Sequence, residues 1–354
     1  MSNLLINGVP LEERIEKERE FYDNPIVLSY SGLSKLLYSP SLFYRHYILK
    51  QRDDDETAAS IEGSLIHSMI LGDNLDEKYI VAKSKPTESV EKVLWALFNE
   101  IKANQKPEYA ETFEYCLSDY SAELLMILER YNLYQSMKEE TRLAKILTTE
   151  NEEYFSFIVS SENKTIISPE TFKLCSDIAY LVSTSPVYKY MHDSSFDFFD
   201  FSSRAGKVYN ETMFEMSLFG EYGFNIRGQI DNLVVDYNNK EIRVNDVKKT
   251  AKDLDTFVNH TIDSYKYWLQ MAIYYILVNH NMSTICPEFD GSWKISLRFI
   301  IIDNYAQISS VLVSPETLNS WLTKTQEVFD RAHYHLTNNN FSLPYDYLIS
   351  EKTI

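Results

Sequence analysis

The sequence predicts an α/β fold, a central sheet flanked by helices and broken by a helical insertion, on three observations. Residues 228–248 have the pattern of a β-hairpin: an apolar run (Ile230, Leu233, Val234, Val235), an Asn-rich turn over 236–240, and an alternating run through Ile242 and Val244. Strand-like runs at 196–201, 211–218, 294–302 and 306–313 surround it and alternate in the C-terminal part with helical periodicity. Residues 85–192 instead read as mostly helical, so the chain divides into 1–84, 85–192 and 193–354, with the middle part inserted into a sheet-bearing whole.

Taken in order, residues 11–22 form a short, highly charged helix with a solvated face, ended by Pro25. Ser31 caps a helix bearing Leu33, Leu36 and Leu37, and Ser39 with Pro40 starts the next. Residues 56–71 form a helix with Ile61, Leu65, Met69 and Ile70 inward; His67 stands one turn after Gly63, on the same face, where a small neighbour leaves room for an approaching group. In the middle block Val90, Val93, Leu94, Leu97, Phe98 and Ile101 make one amphipathic stripe and Leu124, Leu125, Ile127 and Leu128 begin another, 154–159 reads as an isolated strand, and Ser168-Pro169 starts a helix carrying Phe172, Cys175, Ile178 and Val182. Beyond the hairpin, helices are expected at 253–260 and 264–278, strands at 294–302 and 306–313, and a long last helix capped by Ser314. The tail from Asn338 should be ordered only if Phe341 and Tyr345 dock it.

Composition narrows the classes. With 44% hydrophobic residues and 14% aromatics among 354, the chain can bury a large core and is not a disordered segment. No apolar run has the length of a membrane span and the N-terminus lacks a basic region followed by an apolar one, so no membrane partner is expected and the cytoplasm is the expected compartment. Cys116, Cys175 and Cys286 are far apart with no C-x-x-C spacing, which argues against a disulfide framework, structural zinc or an iron–sulfur cluster. The net charge of -18 counts against nonspecific coating of nucleic acid, yet screening lets a local basic groove coexist with an acidic exterior. Lys248, Lys249 and Lys252 gather beside the hairpin, whereas acids cluster elsewhere, as at 53–56.

The chemistry lies in the hairpin. Alternation puts Asp246 and Lys248 on one face and Val247 on the other, and strand pairing lets Asp231 approach Asp246, with the register left open by the sequence. Two carboxylates and an amine suit a hard divalent cation with a water, although Asp, Asn and Lys on a strand are also what a solvated hairpin face carries. On the helix after the hairpin, Gln270 and Tyr274 stand at i and i+4.

Four separated blocks resemble the PD-(D/E)xK nuclease superfamily and, within it, phage-type exonucleases related to exodeoxyribonuclease VIII. Ser31-Gly32-Leu33-Ser34-Lys35-Leu36 with Ser39-Pro40-Ser41-Leu42-Phe43 is similar to an N-terminal S-x-L…S-P-x-x-F block, and Gly63-Ser64-Leu65-Ile66-His67 to a G-x-x-x-H helix. Gly228-Gln229-Ile230-Asp231 with Asp246-Val247-Lys248 resembles the catalytic core, and Gln270-Met271-Ala272-Ile273-Tyr274 the Q-x-x-x-Y helix after it. The resemblance implies a restriction-endonuclease-like core with a mixed central sheet. It implies that Asp231, Asp246 and the carbonyl of Val247 bind Mg²⁺ or Mn²⁺ with His67 completing the shell, that Lys248 orients or deprotonates the attacking water, and that Gln270 and Tyr274 position the lysine or a phosphate oxygen. Lys35, Arg45, Lys249 and Lys252 are candidate phosphate contacts. The cysteines of cluster-bearing relatives are absent near Ser39-Pro40 and near the C-terminus, so no iron–sulfur cluster is implied. The expected activity is metal-dependent exonucleolytic hydrolysis of DNA, acting on linear duplex ends in phage recombination or genome processing. A single-strand annealing protein and a second copy of the chain are candidate partners. The rivals are an endonuclease or junction resolvase on the same core, and an inactive acidic DNA mimic or scaffold.

Overall fold

The computed structural model describes residues 5–6, 9–51, 57–72, 74–104, 116–161, 164–193, 195 and 197–350, with residues 5–14 as backbone alone. The acidic run at 53–56 and Phe196 lie outside the described residues. The chain forms two compact units, Met1–Gly63 with Tyr180–Ile354, and Ser64–Ala179. The division falls inside one continuous helix, Ala58–Leu71.

The strands among the described residues are, in chain order, β1 (Leu5–Ile6), β2 (Val9–Pro10), β3 (Val27–Ser29), β4 (Tyr79–Val81), β5 (Thr165–Ile167), β6 (Lys207–Ser217), β7 (Asn225–Asp236), β8 (Glu241–Lys249), β9 (Lys294–Ile302) and β10 (Ile308–Leu312). The larger unit is built on a mixed six-stranded sheet in the order β10-β9-β8-β7-β3, with β6 on β7 as well. The β3–β7 and β8–β9 pairs are parallel; β6–β7, β7–β8 and β9–β10 are antiparallel. Its core draws on Ile230, Leu233, Val235, Ile242 and Val244 from the hairpin, on Leu269, Ile273, Leu277 and Val278 of the helix Tyr267–Ile285, and on Val328, Phe329 and Ala332 of the helix Pro315–Thr337.

One detail of pairing creates the site. β6 runs along one edge of β7 from Asn225 to Val235, so β3 and β8 must share the opposite edge. β3 takes Asn225–Arg227 and β8 takes Asn232–Asp236, and between them Gly228–Asp231 face a fork with no ladder partner on that edge. Backbone groups exposed at such a fork must be satisfied by side chains or solvent.

The smaller unit has its own core, formed by Val93, Leu94 and Leu97 of the helix Glu88–Asn104, Leu124, Ile127 and Leu128 of the helix Ser121–Arg130, and Tyr154, Phe155 and Ile158. β4 and β5 pair in parallel beside it.

Several expectations need correction. Residues 154–159 are not a strand: they belong to the helix Thr149–Ser160, whose start is set by the Thr148 side chain accepting the Asn151 amide at 3.2 Å and by Glu150 and Glu152 in the first turn. Residues 197–201 are turns, because Asp197 accepts the Phe199 amide (2.8 Å) and Asp200 the Ser202 amide (2.9 Å), local bonds that compete with a ladder. The helix Tyr30–Tyr38 is capped by Ser29, not Ser31. Ser39 caps the next helix as expected, with Pro40 in its first turn. The tail is docked: Phe341 stacks on Phe43, and Tyr345 meets Tyr334 edge-on.

Candidate active site

The fork brings the hairpin carboxylates together. The β7–β8 register ends at Asn232↔Asn245, so the next position sets Asp231 across from Asp246. A row of amides holds that register. Asn245 Nδ2 donates to Asn232 Oδ1 (2.7 Å), and Asn232 Nδ2 donates to Asn210 Oδ1 on β6 (2.8 Å) and to the Met191 carbonyl (3.0 Å). A one-residue slip of either strand would break this row and turn that strand's aspartate to the opposite face from the other, since side chains alternate between faces.

Asp231 fills part of the fork itself. Its Oδ2 accepts the Val247 amide at 2.7 Å, a side chain standing in for a strand partner. Asp246 is fully buried and pairs with Lys248, Nζ to Oδ2 2.7 Å. Burial alone would push the Lys248 ammonium down; the Asp246 and Asp231 carboxylates and the bond to Asp246 outweigh it and hold the lysine above its ordinary range. The ammonium also lies 4.8 Å from the centre of the Tyr267 ring.

The helix Tyr267–Ile285 closes the fork from one side. Gln270 Nε2 donates to the Tyr274 hydroxyl (2.8 Å), which donates to the Gln229 carbonyl (2.6 Å), one of the groups left over where β3 and β8 part. Burial, then Asp231 and Asp246, keep the Tyr274 phenol well above its usual range, so it stays a donor. Gln270 Oε1 is buried and has no hydrogen-bond partner among the described residues. A cleft of about 370 Å³ opens here, lined among others by Ser29, Tyr30, Arg227, Gly228, Gln229 and Gln270.

Sequence reasoning missed Glu211. It lies on β6 opposite Asp231, between the paired positions Asn210↔Asn232 and Thr212↔Ile230, and is itself skipped by the ladder. Its φ is +50°, in the left-handed region that non-glycine residues avoid. The kink leaves its carboxylate and that of Asp231 with oxygens within 4.8 Å of each other, and Glu211 also accepts a bond from the Gln229 amide. An acid inside a strand run, directly after Asn210, was the only sequence signal.

The remaining predicted residues are placed as follows. His67 is half-buried in the helix Ala58–Leu71, one turn after Gly63, where an added Cβ would meet nothing within 4 Å. Lys35 contacts His46 Nδ1 at 2.8 Å, Lys249 bonds Asn304, Arg45 is half-buried and Lys252 is exposed.

A six-stranded mixed sheet that forks at an Asp–Asp–Lys constellation is a nuclease architecture, and the family comparison agrees. The description of the PD-(D/E)XK nuclease superfamily matches residues 27–340, and the chain belongs to that superfamily. Among solved structures it is similar to one from Eubacterium rectale described as "Putative exonuclease", at 13% identity and a TM-score of 0.44, over 100% of this chain and 97% of that one. No curated protein sequence matches it. Nucleases of this superfamily use divalent metals and act on DNA. No helix among the described residues is long and apolar enough to cross a membrane.

The donor chemistry fits such a metal. Asp231, Asp246 and Glu211 bring hard carboxylate oxygens to adjacent positions of three neighbouring strands, and Asp231 and Asp246 are buried. Carboxylates gathered in burial repel one another unless a cation sits among them.

Proposed function

We propose that this nuclease is a Mg²⁺- or Mn²⁺-dependent DNA exonuclease, with a role in phage recombination or genome processing. The observation that carries the reading is the buried convergence of Asp231, Asp246 and Lys248 at the β7–β8 fork. The exonucleolytic mode rests on the resemblance of the four sequence blocks to phage-type exonucleases.

Asp231, Asp246 and Glu211 would hold the cation, with the Val247 carbonyl as a further ligand; His67 is a ligand on the resemblance of the G-x-x-x-H block alone. A divalent ion held there supplies charge neutralisation at the phosphate and a water of lowered pKa. Lys248, kept protonated by its two acidic neighbours, orients the attacking water or a non-bridging phosphate oxygen through its ammonium hydrogens. Gln270 and Tyr274 hold the Gln229 segment, and so Asp231, against the helix.

The test is a cleavage assay on end-labelled linear duplex and on a closed circle, with Mg²⁺, Mn²⁺ or chelator. Linear DNA should be degraded from its ends only with metal, the circle should survive, and Asp246→Asn should lower the rate at least ~100-fold. Cutting of the circle would replace the exonuclease by an endonuclease, and an active Asp246→Asn chain would refute the mechanism.

A further inference from the structure

The backbone reverses immediately before the helix Tyr267–Ile285. The chain passes through the widened helical turn Phe257–Thr261 and the short turn Ile262–Ser264, and at Lys266 takes φ +57°. A lysine in that region is strained, and here it is held by its own amide on the Asp263 carbonyl (3.1 Å) and by the Tyr265 amide on the Thr261 carbonyl (3.0 Å). The effect is to stack two side chains that in an extended strand would only share a face. Tyr265 and Tyr267 lie with centroids 5.7 Å apart and planes 16° from parallel.

The inner ring of this pair is anchored. Tyr267 packs on Phe257 (5.9 Å, 28°) and Phe299, and carries the Lys248 ammonium over its face. The outer ring is open, with Tyr265 62% exposed although it belongs to an aromatic stack. Its backbone carbonyl accepts the hydroxyl of Tyr30, a residue that also lines the cleft at Gly228 and Gln270. A flat ring is thus backed by Tyr267, carried on a main chain tied to Tyr30, largely exposed, and linked by consecutive contacts through Tyr267 and Lys248 to Asp246.

We propose that Tyr265 is a stacking platform for an unpaired nucleobase next to the scissile phosphodiester, so that single-stranded or frayed DNA is the form this site accepts. The proposal rests on the nuclease reading and names its substrate class. A base inside a duplex already spends both faces on its neighbours, whereas an unpaired base gains by stacking on a protein ring, and does so with little regard to sequence. Tyr267 provides the rigidity that such a surface needs, and Lys248 lies where the attached phosphate would find a cation.

The test uses the full chain with Ca²⁺ in place of Mg²⁺, and a fluorescent oligothymidylate and a blunt duplex as probes, followed by anisotropy. Tyr265→Ala should weaken single-strand binding about tenfold and duplex binding far less, while Tyr265→Trp should keep the affinity and lose indole emission as the strand is added. With Mg²⁺, the KM of Tyr265→Ala for the single strand should rise by the same factor with little change in kcat. Unchanged affinity and KM in Tyr265→Ala, in a wild-type chain that cuts DNA, would overturn the platform alone. Equal weakening toward both probes would overturn the preference for unpaired bases. A wild-type chain that neither binds nor cuts either probe would overturn the nuclease reading and the platform with it.

Discussion

Lys248 has two neighbours that want its charge, Asp246 in direct contact and Asp231 across the fork, and the lysine is held protonated by both. Its removal therefore has a consequence for stability as well as for chemistry. Without metal, Lys248→Met would leave the buried Asp246 carboxylate with no ammonium, a change that costs about 3 kcal/mol. A divalent cation at the carboxylates takes over the neutralising role, so we expect the variant to unfold earlier in urea with chelator and to recover much of the loss with Mg²⁺, while cleavage stays abolished. Equal destabilisation with and without metal would mean that no cation binds these acids. At this scale the sequence was informative about chemistry and silent about register: strand alternation sufficed to place Asp246 and Lys248 on one face, but the register that sets Asp231 opposite Asp246 depends on the Asn210, Asn232 and Asn245 amide row. Glu211 was illegible because its usefulness comes from a left-handed kink taken by the glutamate itself, a residue type that seldom adopts that conformation.

The fork of β3 and β8 on one edge of β7 is an element-scale device, and glycine is built into it. A Cβ at Gly228 would lie 3.0 Å from Leu277 Cδ1 and 3.1 Å from Tyr274 Cε1. Leu277 can swing, but the tyrosine ring is held through its hydroxyl by Gln270 and the Gln229 carbonyl. Gly228→Ala should accordingly cost about 1–3 kcal/mol and loosen the Tyr274 contact. Urea unfolding would show the first effect, and a fall in kcat larger than the loss of folded protein the second. The hairpin was legible because its periodicity and turn chemistry agree. The fork was not, because β3 is only Val27–Ser29, too short for any alternation to show. The helix Thr149–Ser160 failed for the complementary reason: its aromatic and β-branched run favours a strand locally, and the Thr148 cap and the packing of Tyr154, Phe155 and Ile158 decide otherwise.

For the whole molecule, apolar periodicity was enough to identify the sheet-bearing core, since the same residues that repeat in strands and helices are those that are buried. How the C-terminal tail is tied to that core was only conditional in the sequence, and its fastening includes a titratable group. His335 is buried at the end of the helix Pro315–Thr337, donates through Nδ1 to the Asn340 carbonyl at 2.5 Å and stacks on Phe341, which in turn packs on Phe43. Burial pushes the imidazole below its ordinary 6.5, against the smaller upward pull of the Asn340 bond. The folded chain thus binds its proton less readily than the unfolded chain. The contribution of His335 is present in full above the unfolded value and is lost as the pH falls toward and through the lowered folded value. Between about pH 7.5 and about 5 the urea midpoint should therefore drop more steeply in the wild type than in His335→Gln, which keeps a polar side chain but has nothing to titrate. Carboxylates elsewhere in the chain contribute equally to both curves, so the difference between the slopes isolates the histidine. Parallel slopes would mean that protonation of His335 does not oppose folding, and that the tail is held by its aromatic contacts alone.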